Sequence, residues 1–137
     1  MPKKSPSQKP RPISLMLCDQ VVFEQGTQKP YLLGVFTGLA ADCFPTAPQR
    51  FDIFAALTDG VGHVTMTVRV ARLESNEEIY SQEMKVVFPD PLKVVNLRFR
   101  VTQLTFDTHG TYLFSLDVDG EEIAARRVRV YAKGSTT

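Results

Sequence analysis

The sequence has no tryptophan, and only two cysteines and two histidines occur among its 137 residues. Small secreted domains usually carry many cysteines in disulfides, so Cys18 and Cys43 favour a reducing, cytoplasmic location in which both are small core thiols. No apolar run approaches the roughly 20 residues that a membrane span requires, and residues 1–6 lack the apolar stretch of a secretion signal. We therefore expect one cytoplasmic domain with no membrane span.

Motifs for catalysis and cofactor binding are also missing. The chain has no glycine-rich phosphate loop, no Gly-x-Ser-x-Gly elbow and no dinucleotide fingerprint. His63 and His109 have no Cys or His partner at metal-ligand spacing. The acidic neighbour Asp19 would raise the pKa of the Cys18 thiol, which disfavours a nucleophilic role. We expect a protein that is not an enzyme and that has no cofactor or metal.

The charges are unevenly distributed along the chain. Sixteen basic and 15 acidic residues give a formal net charge of +1, but four basic residues and no acid lie within the proline-rich residues 1–12. Such a segment buries too little apolar surface to offset its chain entropy, so we predict a disordered basic arm there. The folded domain would then cover residues 13–132, with a flexible tail at 133–137. The arm is expected to bind anions only weakly and non-specifically, because it has no aromatic residue to stack on bases.

From Ile13 onward, apolar and polar side chains alternate with a period of two. Residues 63–70 show it most clearly, with Val64, Met66, Val68 and Val70 on one face, as expected for a half-buried strand. No segment shows a sustained helical period. We predict strands near residues 13–18, 31–40, 51–58, 63–73, 79–88, 93–106, 111–118 and 122–131.

Local signals add detail to this strand pattern. Asp119-Gly120 between two apolar runs predicts a two-residue hairpin turn. The inward-facing phase slips between Val101 and Leu104, which predicts a β-bulge near Thr102-Gln103.

Eight or so short strands with one solvated face each predict an all-β fold, a two-sheet antiparallel β-sandwich. Asp107, Gly110 and Tyr112 resemble a tyrosine corner, which favours an immunoglobulin-like version. A true antibody-type domain is disfavoured, because Phe114 stands at the place of the second cysteine and tryptophan is absent. The predicted core consists of Phe51 or Ile53, Met66, Val68, Met84, Val86, Phe88, Leu97, Phe99, Tyr112, Phe114 and Leu116.

Four stretches together resemble a bacterial family of small, uncharacterised proteins catalogued as a domain of unknown function. They are residues 15–21, 31–36, 54–60 and 110–114, the last followed by Asp119-Gly120-Glu121. The resemblance spans roughly residues 14–130 and implies the β-sandwich fold, but it implies no reaction and no catalytic residue. This chain has His109 where the family usually has proline before the glycine, which implies a looser turn.

Two surface features are candidate partner-binding sites. Arg98, Arg100, Arg127 and Arg129 lie on outward positions of two strands, and would form a basic stripe for an acidic partner if those strands pair. The alternative is cross-strand pairing with Glu83, Glu121 or Glu122. In the segment 37–50, Phe44 either meets a partner or lies in a connection that crosses between the sheets.

These features favour a non-enzymatic protein-binding or interaction module whose partner is unknown. The main alternative is a structural subunit that self-associates into a homo-oligomer, through an exposed edge strand such as residues 31–39. A small enzyme with a carboxylate or thiol site is the least favoured reading.

Overall fold

A computed structural model describes residues 8–134, which form nine β-strands and no helix. The described residues therefore include no helix that could cross a membrane. The strands are β1 (Arg11–Phe23), β2 (Pro30–Phe36), β3 (Gly38–Ala41), β4 (Gln49–Thr58), β5 (Gly62–Arg72), β6 (Glu78–Phe88), β7 (Val95–Leu104), β8 (Gly110–Val118) and β9 (Glu121–Ala132).

The strands form two sheets that enclose one main core. The four-stranded sheet has the order β2-β1-β4-β7, and the five-stranded sheet has the order β3-β9-β8-β5-β6. The all-β, two-sheet prediction is confirmed, but the purely antiparallel one is wrong. β3 runs parallel to β9, so the five-stranded sheet is mixed. This sheet is open and strongly curled, and forms a half-barrel.

The predicted strand at 31–40 is in fact two strands in different sheets. Phe36 ends β2 in the first sheet, and Gly38 begins β3 in the second, so the chain crosses between sheets at Thr37. It crosses back between β3 and β4. Phe36 and Leu39 both pack on the main core although they are three residues apart, so the inward phase shifts at the crossing. No turn signal separates residues 36 and 38, which is why the sequence pattern predicts one continuous strand.

The predicted core is confirmed apart from one residue at an edge. Phe51 and Ile53 are both buried, and so are the other predicted members except Met84. Met84 is half-buried because β6 is the last strand of its sheet. The cluster also includes other apolar residues of the two sheets and of the β7–β8 loop, among them Leu17, Leu57, Leu104, Phe106, Val118, Val128 and Val130.

Both local predictions, the bulge and the hairpin, are confirmed. Gln49 and Phe51, two residues apart on β4, pair with Leu104 and Val101, three residues apart on β7, which places one extra residue at Thr102-Gln103. Asp119 and Gly120 link Val118 to Glu121 with φ angles of 48° and 89°, as a type I′ turn requires.

The chain joins the fold earlier than residue 13. β1 begins at Arg11, and Gln8 exchanges two backbone hydrogen bonds with Val61, of 3.2 and 3.1 Å. Pro10 is buried. Residues 1–7 of the predicted arm and residues 135–137 of the predicted tail lie outside the described residues.

The loop before β8 has the hydrogen bond on which a tyrosine corner depends. The Tyr112 hydroxyl donates to the Thr108 carbonyl oxygen at 2.7 Å, and the Tyr112 ring packs edge-on to Phe106. Gly110, at φ 147°, makes the backbone turn, whereas Asp107 is exposed. The bond ties the start of β8 to the loop that precedes it.

A second, smaller core cluster lies beside the four-stranded sheet. It contains Cys18, Val21, Phe54 and Ala56. Cys18 and Val21 are three residues apart, so regular alternation would place them on opposite faces. The β1–β2 ribbon therefore twists between them, next to Gly34, whose φ is +68°.

Candidate functional site

The four predicted arginines do not form one stripe. Arg98 and Arg100 lie on β7 in the four-stranded sheet, and Arg127 and Arg129 lie on β9 in the five-stranded sheet. The two strands do not pair, so the condition on which the stripe depended is not met. The two pairs of arginines must be considered separately.

Arg98 and Arg100 bind within the domain and hold the twisted ribbon in place. Arg98 donates to the Val21 carbonyl oxygen at 3.3 Å, and its guanidinium lies 5.9 Å from the centre of the Phe23 ring. Arg100 donates from Nε to the Asp52 carboxylate at 3.2 Å. Both side chains therefore have a structural role on the β1–β2 ribbon.

Asp52 is the centre of this arrangement. The residue is 2% exposed, and its carboxylate accepts hydrogen bonds from the Val21 amide at 2.8 Å and from Arg100. β4 pairs with β1 only as far as Cys18, so this side chain continues the connection after the backbone ladder ends. Sequence reasoning missed Asp52, although a lone carboxylate within the apolar residues 51–57 was a signal of a buried, bonded acid.

Arg127 and Arg129 project outward from β9, with the buried Val128 between them. Across the ladder they lie opposite Leu113 and Thr111 of β8. Among residues 8–134 neither has an ion pair or a side-chain hydrogen bond. The alternative, in which these arginines pair with Glu83, Glu121 or Glu122, is not observed among the described residues, and Glu121 pairs instead with Lys9.

Phe44 lies in the connection that crosses from β3 to β4. It is half-buried and packs on the main core, with its ring edge-on to His109 at a centroid distance of 6.2 Å. This is the crossing segment that the sequence suggested as the alternative to partner contact. Cys43, next to it, is exposed, so the prediction of two core thiols is wrong for this residue. It lies in the loop between β3 and β4.

The residues considered for chemistry are far from forming a common site. Asp19 lines a shallow cavity of about 250 Å³ with Asp52 and Arg100, whereas His63 and His109 line two other cavities. In the described part of the chain, no group of three or more Cys, His, Asp or Glu could hold a metal ion. Burial raises the pKa of the Cys18 thiol, and the nearby Asp52 carboxylate raises it further. Both effects disfavour the thiolate.

The most exposed apolar strand is β2, at one edge of the four-stranded sheet. Tyr31, Leu33 and Val35 are 49%, 49% and 47% exposed; Tyr31 and Leu33 precede the twist at Gly34, and Val35 follows it. Val22 lies opposite Tyr31 on β1 and is 38% exposed, which widens the patch. We call these four residues the β2 patch.

The other sheet edges are better protected. β7 carries Arg98, Arg100 and the bulge, and β6 carries Glu83 and Lys85. β3 is only four residues long. Charges, bulges and short strands are the usual features that prevent an edge from pairing with another chain. β2 has no charge along its seven residues, and its protective features are Pro30 at its start and the twist at Gly34.

Comparison with known protein families gives a match over most of the chain. A family model described as "Family of unknown function (DUF6941)" matches residues 13–131. No protein of curated function matches the chain. Among solved structures, a β-glucosidase from Kluyveromyces marxianus is similar, with 16% identity and a TM-score of 0.39. The similarity covers 73% of this chain and only 15% of the β-glucosidase chain, and no property of that enzyme is transferred.

Proposed function

Because the chain belongs to DUF6941, a family of unknown function, we propose its function from the geometry: it is a non-enzymatic interaction module that binds a partner protein at β2. The observation that carries the proposal is the β2 patch on an uncharged edge strand. The free side of such a strand presents unpaired backbone N–H and C=O groups to an added strand.

The proposed ligand is an extended segment of the partner, added as a fifth strand next to β2. Backbone hydrogen bonds would supply affinity that depends little on sequence. Specificity would come from apolar side chains at every second position of the segment, which would cover Tyr31 and Leu33. A charged segment gains nothing there, since β2 carries no charge.

The experiment compares Leu33→Lys with the matched control Leu92→Lys in pull-downs from the native host. Leu92 is 87% exposed in the β6–β7 loop, so both variants add the same charge at an exposed leucine. We expect a partner retained by the wild type and by Leu92→Lys to be lost from Leu33→Lys. Equal retention by both variants would contradict binding at β2.

A second candidate function is self-association, and the symmetry of the β2 patch favours it. An antiparallel pair of β2 strands centred on Leu33 would place Tyr31 of each copy opposite Val35 of the other, both with nearly half of their surface exposed. Sedimentation over a wide concentration range tests it. A concentration-dependent dimer that Leu33→Lys abolishes would support this function, and a monomer at every concentration would exclude it.

We also propose that the sandwich is immunoglobulin-like. In support, the order β9-β8-β5-β6 corresponds to strands G-F-C-C′, and β1-β4-β7 corresponds to A-B-E. The hydrogen bond from Tyr112 to Thr108 is a further feature typical of that class. An experimental structure in which β5 does not lie between β8 and β6 would contradict this assignment.

A further inference from the structure

The outer face of the five-stranded sheet carries a second surface, separate from the β2 patch. At one end, Arg127 and Arg129 of β9 lie next to Leu113 and Thr111 of β8. Leu73, 41% exposed, follows β5 and donates its backbone N–H to the Thr111 carbonyl at 3.0 Å. We call these five residues the arginine face.

A groove runs along one side of this face. It has a volume of about 420 Å³ and is lined by His109, Thr111, Arg129 and Tyr131, among others. The Arg129 guanidinium, the Thr111 hydroxyl and a histidine ring can all donate hydrogen bonds into it. The edge-on contact with Phe44 places the His109 ring at its border.

The acids that the register places on this side of the sheet lie away from the two arginines of β9. Asp117, which forms an ion pair with Arg69, and Glu122 opposite it lie toward the other end of β8 and β9. Glu78, the second partner of Arg69, lies level with Arg127 but on β6, three strands away from β9. Within residues 8–134 no acid pairs with Arg127 or Arg129. Arg127 and Arg129 therefore present positive charge without an internal ion pair.

We propose that the arginine face binds an acidic, extended peptide segment of a partner protein. Arg127 and Arg129 are alternate residues on one strand, so their side chains leave the sheet about 7 Å apart. An extended segment repeats its side chains at the same spacing. Carboxylates at alternate positions therefore match both guanidiniums at once, and an apolar residue nearby can contact Leu113 and Leu73.

The test uses three short peptides of equal length with the wild-type protein. One has glutamates at alternate positions separated by valine, one has the same residues with the glutamates adjacent, and one has glutamine in place of glutamate. NMR titration of backbone amides reports both affinity and location. We expect shifts at residues 110–113 and 127–129, and about ten-fold tighter binding of the alternating peptide than of the glutamine peptide.

A double variant with Arg127→Gln and Arg129→Gln is compared with a control double variant with Lys85→Gln and Lys93→Gln. Both variants lose two positive charges, but the control loses them elsewhere on the surface. Lys85 and Lys93 are exposed and lie outside the arginine face. The arginine variant should lose the ten-fold preference, and the lysine variant should keep it. An equal loss in both would overturn the proposal in favour of general charge attraction.

Two further binding experiments distinguish a peptide ligand from other anions. Inorganic phosphate that competes with the alternating peptide at similar millimolar concentration would reduce the face to a simple anion site and overturn the proposal. Tighter binding of a single-stranded oligonucleotide at the same amides would assign it to nucleic acid instead. Because the face lies on the other sheet, Leu33→Lys should leave peptide binding unchanged, whether or not β2 binds a partner.

Discussion

At the scale of single residues, the polar groups beside the small cluster have structural roles. Asp52 and Arg100 are outward neighbours across the β4–β7 ladder, yet Asp52 is 2% exposed because the β1–β2 ribbon covers it. A buried carboxylate needs several donors, and here a backbone amide and a guanidinium provide them. Cys18, which lies opposite Asp52 on β1, is also fully buried from solvent.

We predict that Cys18 makes stability depend on alkaline pH. Burial and the Asp52 carboxylate raise its pKa above the ordinary value of 9.0, so the folded protein retains a proton that the unfolded chain loses. The free energy of unfolding should therefore fall as the pH rises from about 9 through the folded-state pKa. Burial raises the pKa of Tyr80 and Tyr112 as well, which adds a further decline above about pH 10.

Urea unfolding between pH 7 and 11 measures this effect. Cys18→Ala should remove the part of the decline that begins near pH 9, and Cys43→Ala, at the exposed cysteine, should leave it in place. A Cys18→Ala variant with the same pH slope as the wild type would refute the assignment.

At the scale of secondary-structure elements, the β1–β2 ribbon is the least regular part of the fold. It begins in the main core at Leu17 and ends with Phe23 against the small cluster. Gly34 permits the twist between these regions, because its φ of +68° is strained for any residue with a Cβ. A Cβ at this position would also collide with the Asp19 carboxylate.

We predict that Gly34→Ala destabilises the protein by about 2 kcal/mol, from backbone strain and from the collision with Asp19. In an Asp19→Ala background only the backbone part should remain, at about 1 kcal/mol. Gly26→Ala is the matched control, since its φ is +95° and nothing lies within 4 Å of the added Cβ. A double-mutant cycle by urea unfolding checks this, and strictly additive effects of Asp19→Ala and Gly34→Ala would contradict it.

At the scale of the whole molecule, the two sheets are held together by more than their shared core. Arg126 of β9 donates from Nε to the Leu15 carbonyl of β1 at 2.7 Å, which joins one sheet to the other. The residues around the start of β1 contribute as well. Arg11 forms an ion pair with Asp59 at 2.9 Å, and Gln8 pairs with Val61.

We predict that deletion of residues 1–12 lowers the free energy of unfolding by about 2–3 kcal/mol. It removes the start of β1, two backbone hydrogen bonds to Val61 and the buried Pro10. Arg11→Ala, which leaves the backbone intact, should cost less than about 1 kcal/mol because its ion pair is exposed. Urea unfolding of both proteins provides the measurement, and unchanged stability of the truncated protein would show that residues 8–12 add nothing.

The sequence by itself determined the local structure: the strands, the turn at Asp119-Gly120, the bulge at Thr102-Gln103 and most of the core. Each depends on a short-range rule, the two-residue period or the preference of glycine for positive φ, and a single strand is enough to express it. Which strands become neighbours depends on contacts between distant residues. Only the tertiary structure therefore decided that residues 31–40 divide between the sheets and that β3 pairs with β9 in parallel. It also decided the different roles of the two arginine pairs, which have the same alternating pattern in sequence. Arg98 and Arg100 bind inside the domain because the β1–β2 ribbon packs above them, whereas nothing in the described chain packs above Arg127 and Arg129 in this way.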